Sequence, residues 1–423
     1  MKRILCLLAL SVNSLHAKVD AATEMLTKAC RLGDVKTVGS ILSAGVNPDL
    51  PDRYGATPLF YAVSFMHAEI VELLLEYHAD PNAQVNVNAR KDGSQPNTTP
   101  LQYAASLGDL RITRILIAAG SRVNAKGAGG RTALHFAAGQ VGMMHLLIEK
   151  GADVNARDND GIAPLDDAVW GGSLDAAAIL LAHGARLNEM EPKTGATPVN
   201  EAAYRGNTSI VRYLLQFKPD LGIRDNRGNT ALENAIRMGK EDSGLLLFEA
   251  EAQQPKTPQF FEKTMDAAVR KDEPALVETL LRHGISLNGT LPSGSTPLGT
   301  AVFSGAVKVV GLLLKNNADP NIGGRDGTSP LEDASLKGSD EIAGMLLDRG
   351  ALVNHVNGGS GTTALYAAAS FGRAGVVKLL LSRGANPNIC GANRRSPYQA
   401  AIENGNQDAA NQIQTHGGAE GCK

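Results

Sequence analysis

The chain has 423 residues, enough for two or three ordinary domains, and its charged fraction of 20% excludes extended disorder. Its formal net charge of −2 excludes a global basic field that would recruit nucleic acid or anionic lipid. Aromatic residues make up only 4%, whereas glycine accounts for 46 residues against 19 prolines, which indicates many repeated turns around an aliphatic core.

Residues 1–17 have the pattern of a secretory signal peptide. Lys2 and Arg3 are basic, residues 4–12 are apolar, and Ala17 is a small residue at the expected cleavage point. No stretch of about 20 apolar residues occurs, so we expect no membrane insertion of the mature chain. The pattern predicts export to the periplasm or secretion; the alternative is an apolar helix that caps the first structural unit.

One landmark recurs along the rest of the chain: a hydroxyl or small residue, then Pro or Ala, then an apolar residue. Its copies begin at Thr57, Thr99, Thr132, Ala163, Thr197, Thr230, Thr296, Ser329, Thr363 and Ser396. The interval of 66 residues between Thr230 and Thr296 is twice 33 and predicts a further unit at Lys263. A step of 33 back from Thr57 predicts another unit at Glu24. The landmarks therefore indicate about twelve units over residues 22–419.

Each unit reads as a pair of short helices. A hydroxyl residue before proline is typical of a helix start, because the side chain caps free amides and proline needs no partner in the first turn. Glycines such as Gly108 and Gly120 end the first and second helix, and an asparagine recurs in the connecting turn. One such pair is too small to bury its own apolar face, so the units must stack.

This pattern resembles the ankyrin repeat family, most closely in GRTALHFAA at residues 130–138 and LLIEKGADVN at 146–155. The resemblance covers nearly the whole mature chain. It implies an all-α solenoid of antiparallel helix pairs with projecting hairpin loops and a concave face that binds partner proteins. It also suggests similarity to secreted bacterial ankyrin proteins.

Departures from the repeat predict local differences. His78, Lys218 and Asn317 stand where glycine normally ends the second helix, a position that often needs positive φ. Residues 83–98 hold about nine extra residues, which predicts an enlarged loop.

The glycine turn is also missing between Glu249 and Gln259. We therefore expect two stacks, units 1–7 over residues 22–254 and units 8–12 over 259–419, joined by a linker at 255–258 and followed by a tail at 420–423. The alternative is one continuous solenoid with a degenerate middle repeat.

The sequence offers no convergent catalytic site. His183, His283 and His416 precede helix-ending turns, where a cation suits the carboxyl end of a helix, and His135 occupies a structural position of the repeat that the chain resembles. No metal-ligand, nucleophile or phosphate-loop motif is complete. We expect no enzyme activity, no cofactor and no metal site.

The cysteines indicate one candidate disulfide. Cys30 occupies a small core position and is expected to be a buried thiol. Cys390 lies in a hairpin loop and Cys422 in the tail, so a bond between them would tie down the carboxyl end.

The residues that end the first helices predict the partner-binding surface, on the concave side in ankyrin-like units. At this register the middle units carry residue types that dominate interface hot spots. These residues are Trp170, Tyr204, Arg205, Arg237, Met238, Arg270, Lys271 and Phe303. The alternative is that the aromatic rings fold down between adjacent helices and only pack.

The predicted function is a non-catalytic exported scaffold that binds protein partners through its concave face and hairpin loops. The alternative is an inhibitor or regulator that occludes the active site of one enzyme. We expect a monomer that binds protein and not nucleic acid.

Overall fold

The computed structural model describes residues 21–52, 55–85, 97–324 and 327–421. These residues form an all-α protein, in which a helical segment at 21–32 is followed by regularly alternating first and second helices and no strand is present among the described residues. None of the helices in this part of the chain is long and apolar enough to cross a membrane.

The helices confirm the predicted repeat of helix pairs. After residues 21–32, the first helices are Pro58–Ser64, Pro100–Leu107, Ala133–Phe136, Pro164–Trp170, Pro198–Arg205, Ala231–Arg237, Pro258–Arg270, Pro297–Ser304, Pro330–Lys337, Ala364–Ser370 and Pro397–Glu403. The second helices are Val35–Ser43, Ala68–Glu76, Leu110–Ala118, Val141–Glu149, Leu174–Ala182, Thr208–Leu215, Glu241–Ala252, Pro274–Arg282, Val307–Lys315, Asp340–Asp348, Ala374–Ser382 and Gln407–Thr415. A short 3-10 helix at Ala128–Gly130 precedes the fourth pair.

Local chemistry fixes the helix ends. The Thr99 hydroxyl accepts from the Gln102 amide, and the Gln102 side chain accepts from the Thr99 amide, so two free donors are satisfied reciprocally. Gly108 closes the same helix at φ 76°, a left-handed conformation that favours glycine. His78, Lys218 and Asn317 adopt positive φ values of 64°, 52° and 66° without glycine.

The eighth repeat differs from its expected outline. The register predicts a unit at Lys263 without a normal start, but the first helix begins earlier, at Pro258, and the Thr257 hydroxyl caps it by accepting from the Phe260 amide. The preceding second helix, Glu241–Ala252, is also longer than its counterparts. The two extended helices replace the missing glycine turn.

The chain forms two compact units, residues 1–202 with 209–228, and residues 203–208 with 229–423. Within each unit, first helices pack against neighbouring first helices and second helices against neighbouring second helices. The core consists of small and aliphatic side chains, with Phe60 and Phe248 among its largest fully buried members. The proposed linker at 255–258 lies within the second unit, and the division into stacks at this point stays a prediction.

A recurring asparagine links six of the described repeats to the repeat that follows. Asn124 donates to the Gly151 carbonyl at 2.9 Å and accepts from the Asp153 amide at 2.8 Å. Asn82, Asn155, Asn321, Asn354 and Asn388 make the same pair of contacts with the following repeat. We call these residues the asparagine staples, since each satisfies a turn carbonyl and a turn amide that no helix provides for.

Some predictions concern residues outside the described ranges. The signal segment 1–17, most of the enlarged loop at 83–98, and Cys422 fall in this class. The base of that loop is closed by antiparallel pairing between Val85 and Thr98. Cys390 is disulfide-bonded, but its pairing with Cys422 stays a prediction. Cys30 is a buried free thiol, and burial raises its pKa to about 12.

Candidate partner-binding surface

The predicted surface residues lie where the first helices end. Seven of them belong to the second unit, and we call this set the first-helix row: Tyr204, Arg205, Arg237, Met238, Arg270, Lys271 and Phe303. Six members are exposed, including Phe303 with an exposed fraction of 54%, and Tyr204 is half-buried. The row therefore presents cationic and apolar side chains together.

Tyr204 and Arg237 form one contact within this row. The Arg237 guanidinium lies over the Tyr204 ring, 5.6 Å from its centroid, and donates a hydrogen bond to the Asn234 Oδ1 at 3.0 Å. Cation–π stacking and this hydrogen bond hold an exposed arginine in one orientation. A fixed arginine loses less conformational entropy when a partner binds.

Arg270 and Phe303 form a second group. Both line a pocket of about 290 Å³ together with Thr300 and Asp333. The Arg270 Nε donates to the Asp266 Oδ2 at 3.1 Å. The Lys337 ammonium lies over the Phe303 ring, 4.3 Å from its centroid. Sequence reasoning missed Lys337, although it stands at the same repeat register as Arg205, Met238 and Lys271.

Trp170 belongs to the first unit. It is the last residue of Pro164–Trp170, and 36% of its surface is exposed. Other exposed apolar side chains at the same helix ends in this unit are Phe65 and Leu107. Arg31 lies over the Tyr61 and Phe65 rings at 5.4 and 5.7 Å, so a cation also meets aromatic rings here.

The buried contacts of the His135 ring explain its structural role. It is 2% exposed, its Nε2 lies 3.0 Å from the Ile162 carbonyl oxygen, and its Nδ1 lies 3.1 Å from the Thr132 amide nitrogen. A neutral ring that donates from Nε2 and accepts at Nδ1 satisfies both contacts. Burial lowers the pKa of His135, in agreement with a neutral ring that is unavailable for acid–base chemistry.

The first unit also holds a partly buried charge pair near His135. Arg131 donates to the Asp167 carboxylate and lies over the Phe136 ring. Burial raises the pKa of Asp167, and the Arg131 charge opposes that rise. Beside it, burial raises the pKa of Asp166 to about 6, although that carboxylate accepts from the Ala163 amide at 2.9 Å. Both aspartates thus have local structural partners.

Metal binding has no support in the described part of the chain. No group of three or more His, Cys, Asp or Glu side chains there is arranged to hold an ion. The run from Asp158 to Gly161 is a hairpin tip, in which the Asp158 carboxylate accepts from the Asp160 and Ile162 amides at 2.9 Å. The Asp158 carboxylate therefore forms hydrogen bonds within the turn.

A buried polar network lies where the tenth and eleventh repeats meet. Glu332 is 5% exposed, and its carboxylate accepts from the Asn357 amide at 3.0 Å and from the Thr362 hydroxyl at 2.6 Å. These residues line a pocket of about 590 Å³ that the exposed Phe371 also borders. No motif in the sequence singled out this pocket, since its residues come from different parts of two repeats.

Stacked helix pairs with exposed helix ends define a helical repeat protein. The family model described as "Ankyrin repeats (3 copies)" matches residues 3–85, 84–158, 101–191, 165–257, 264–357 and 351–421. The chain therefore belongs to the ankyrin repeat family. Ankyrin repeats are protein-interaction domains, so the fold itself is suited to partner binding.

The relatives found by sequence are eukaryotic proteins. The human ankyrin repeat and SOCS box protein 16 is 32% identical over 216 residues, which cover 48% of this chain and 47% of that protein. The E3 ubiquitin-protein ligase KEG of Arabidopsis thaliana is 27% identical over 333 residues, which cover 73% of this chain and 20% of that protein. The chain thus spans less than half the length of these relatives.

One solved structure matches part of the chain. The ankyrin repeat domain of Bcl-3 has a TM-score of 0.44 and 28% identity, and the match covers 50% of this chain and 93% of that domain.

Proposed function

We propose that this protein is a non-catalytic scaffold that binds a partner protein through the first-helix row. The observation that carries the proposal is the row itself, in which Arg237 is fixed on Tyr204 and Arg270 lines a pocket with the exposed Phe303. Arginine and aromatic residues dominate interface hot spots, and pre-positioned side chains lower the entropic cost of binding.

The charge of the row favours an acidic partner segment. Arg205, Arg237, Arg270 and Lys271 contribute four cations, and the row contains no acidic residue. Phe303 and Met238 add apolar surface between them. A partner segment with carboxylates spaced between apolar side chains would complement both features.

Partner capture with charge-reversal variants tests this proposal. The row variant carries Arg237→Glu, Arg270→Glu and Lys271→Glu, and its matched control carries Lys308→Glu, Lys315→Glu and Lys378→Glu on exposed second-helix positions. Both change the net charge equally. We expect the row variant to capture at least about tenfold less partner than the unaltered chain, because its new negative charges repel an acidic segment. The control variant should capture as much partner as the unaltered chain.

Thermal melting of the same three proteins checks folding. The row and control variants should melt within a few degrees of the unaltered chain, because all six positions are exposed. Equal loss of partner in both variants, or full retention by the row variant, would contradict the proposed surface.

We further place this scaffold outside the cytoplasm. The support is the basic start, apolar run and small residue of residues 1–17. The alternative of a capping helix is compatible with the family match that begins at residue 3.

Expression with its own first 17 residues in a bacterial host tests export. We expect the periplasmic fraction to contain a chain that begins at Lys18, as found by intact mass and amino-terminal sequencing. A full-length chain that begins at Met1 and stays in the cytoplasmic fraction would favour the capping helix.

A further inference from the structure

Glu273 is a buried carboxylate without a hydrogen-bond partner. The side chain is 2% exposed, and neither Oε1 nor Oε2 contacts a donor. It precedes the second helix of repeat 8, Pro274–Arg282, but does not cap it. An ionised carboxylate left in this state carries a large desolvation cost.

The same register performs a structural task in most other repeats. Some side chains there cap their own second helix. Others contact carbonyl oxygens at the end of the first helix of the previous repeat. The capping residues are Asp34, Asp109, Ser173 and Ser339, and those that contact the carbonyls are His67, Gln140, Arg373 and Asn406. Glu273 does neither: it accepts from no amide of its own helix and contacts no carbonyl of a neighbouring one.

One amide at the start of this helix already accepts no further cap, because it donates to another carboxylate. The Glu241 Oε1, from the second helix of repeat 7, accepts from the Ala275 amide at 2.6 Å. This contact places the Glu241 charge beside the Glu273 carboxyl. Two neighbouring carboxylates resist ionising together, so the less solvated one retains its proton.

The Glu273 carboxyl lies close to the second helix of repeat 7. A methyl group placed on Gly244 would lie 3.9 Å from the Glu273 Oε2 and 3.8 Å from side-chain carbons of Ala235 and Ile236. The carboxyl therefore lies between the helices of repeats 7 and 8. Both carboxyl oxygens are buried there.

The charged groups that act on Glu273 are few. Glu241 opposes its ionisation, and Lys271, in the preceding turn, favours it. Among the other charged side chains on the adjoining elements, Glu233 accepts from the Thr230 amide, Arg237 lies on Tyr204, and Asp266 pairs with Arg270. On the following elements, Asp272 accepts from the Val309 amide, and Arg282 donates to the Thr279 hydroxyl.

We propose that Glu273 is held protonated between repeats 7 and 8, and that its ionisation loosens this junction. In the protonated state the carboxyl is neutral, and its burial costs less than that of a carboxylate. In the ionised state the site must admit water or let the two second helices separate. The stability of the junction between repeats 7 and 8 thus depends on pH.

The pH dependence follows from the direction of the pKa shift. Burial, reinforced by the Glu241 charge, raises the pKa of Glu273 to about 8 from its ordinary value of 4.5. A raised folded-state pKa gives a stabilising contribution that is complete below about pH 4.5, declines as the pH rises, and is lost above about pH 8. The junction therefore weakens as the solution becomes alkaline.

This junction lies within the first-helix row. Arg237 and Met238 end the first helix of repeat 7, and Arg270 and Lys271 end that of repeat 8. Loosening the junction would change the spacing of these two pairs, so ionisation of Glu273 would weaken partner binding. This consequence rests on the proposed function, whereas the pH response of the junction does not.

Hydrogen exchange of the full chain at pH 6.5 and pH 9 tests the inference without any partner. Glu273→Gln and Glu273→Met cannot ionise, and Glu332→Gln alters a buried glutamate whose two oxygens both accept hydrogen bonds. The ratio of exchange rates between the unaltered chain and Glu273→Gln, at the same pH, removes the intrinsic pH effect. We expect this ratio in residues 241–252 and 274–282 to rise on the order of tenfold from pH 6.5 to pH 9.

Glu273→Met must behave as Glu273→Gln does, which keeps the test valid if one variant folds poorly. The ratio of the unaltered chain to Glu332→Gln should stay the same at both pH values. A ratio for both Glu273 variants that does not change with pH would overturn the proposal. Loss of binding in the row variant alone would leave this result untouched, so the two proposals can fail separately.

Discussion

The junction between repeats 10 and 11 and the junction between repeats 7 and 8 have the same fold. They differ in whether their polar groups have hydrogen-bond partners. In the former, Asn354 donates to the Gly384 carbonyl at 3.3 Å and accepts from the Asn386 amide at 2.7 Å. Glu332 adds a buried carboxylate whose oxygens both have donors. The junction of repeats 10 and 11 is thus satisfied at its turn and in its interior.

The junction between repeats 7 and 8 lacks both features. Pro255 stands at the register of the asparagine staple and has neither an amide donor nor a side-chain acceptor. Glu273 is buried without a donor. A stack of similar repeats need not be uniformly stable, because each interface contributes its own free energy. The comparison indicates that polar pairing at each interface, more than the helices themselves, sets where the second unit opens first.

Removal of two staples should erase much of this difference. Asn321→Ala and Asn354→Ala together delete four hydrogen bonds between repeats, at about 0.5–1 kcal/mol each, so the local opening free energy should fall by about 2–4 kcal/mol. Native-state hydrogen exchange of residues 340–348 and 374–382 measures this loss. Asn411→Ala, on an exposed helix surface, is the control and should change it by less than about 0.5 kcal/mol.

An unchanged opening free energy in the double variant would show that apolar packing alone holds these repeats together. A loss spread over the second unit, with no focus on repeats 10 and 11, would also contradict the local role assigned to the staples.

Much of the fold could be predicted from the sequence because its determinants are local. Thr99 before Pro100 and Gly108 after the helix each reveal a boundary without knowledge of any distant contact. At repeat 8 the local signal lies in the predicted linker: Thr257 and Pro258 cap and begin a longer helix there, whereas the division into stacks at 255–258 stays a prediction. A strong local signal thus outweighed the register of the repeat.

The contacts between repeats could not be predicted in the same way. The recurrence of Asn354 and its counterparts is visible in the sequence, but their partners lie about 30 residues away and emerge only on stacking. The unusual state of Glu273 could not be predicted from the sequence, because its burial and its lack of a hydrogen-bond donor arise only when the repeats pack. At the candidate surface, the register of Arg237 was visible, but its stacking on Tyr204 was not.

Limited trypsin digestion gives the smallest effect and the most direct comparison of the two junctions. Lys256 lies at the junction of repeats 7 and 8, where its ammonium pairs with Glu251 at 2.9 Å and its side chain is only 25% exposed. Arg349 lies at the end of the second helix of repeat 10 and is exposed. Cleavage of a folded chain requires local unfolding, so exposure of one side chain does not decide the rate.

We therefore expect the bond after Lys256 to be cut at least about tenfold faster than the bond after Arg349, as measured by mass spectrometry of the fragments over time. The asparagine double variant should narrow this ratio, since it weakens the repeats that flank Arg349. Faster cutting after Arg349 in the unaltered chain would mean that side-chain exposure governs the rate, and that the polar pairing of the two junctions does not determine their order of opening.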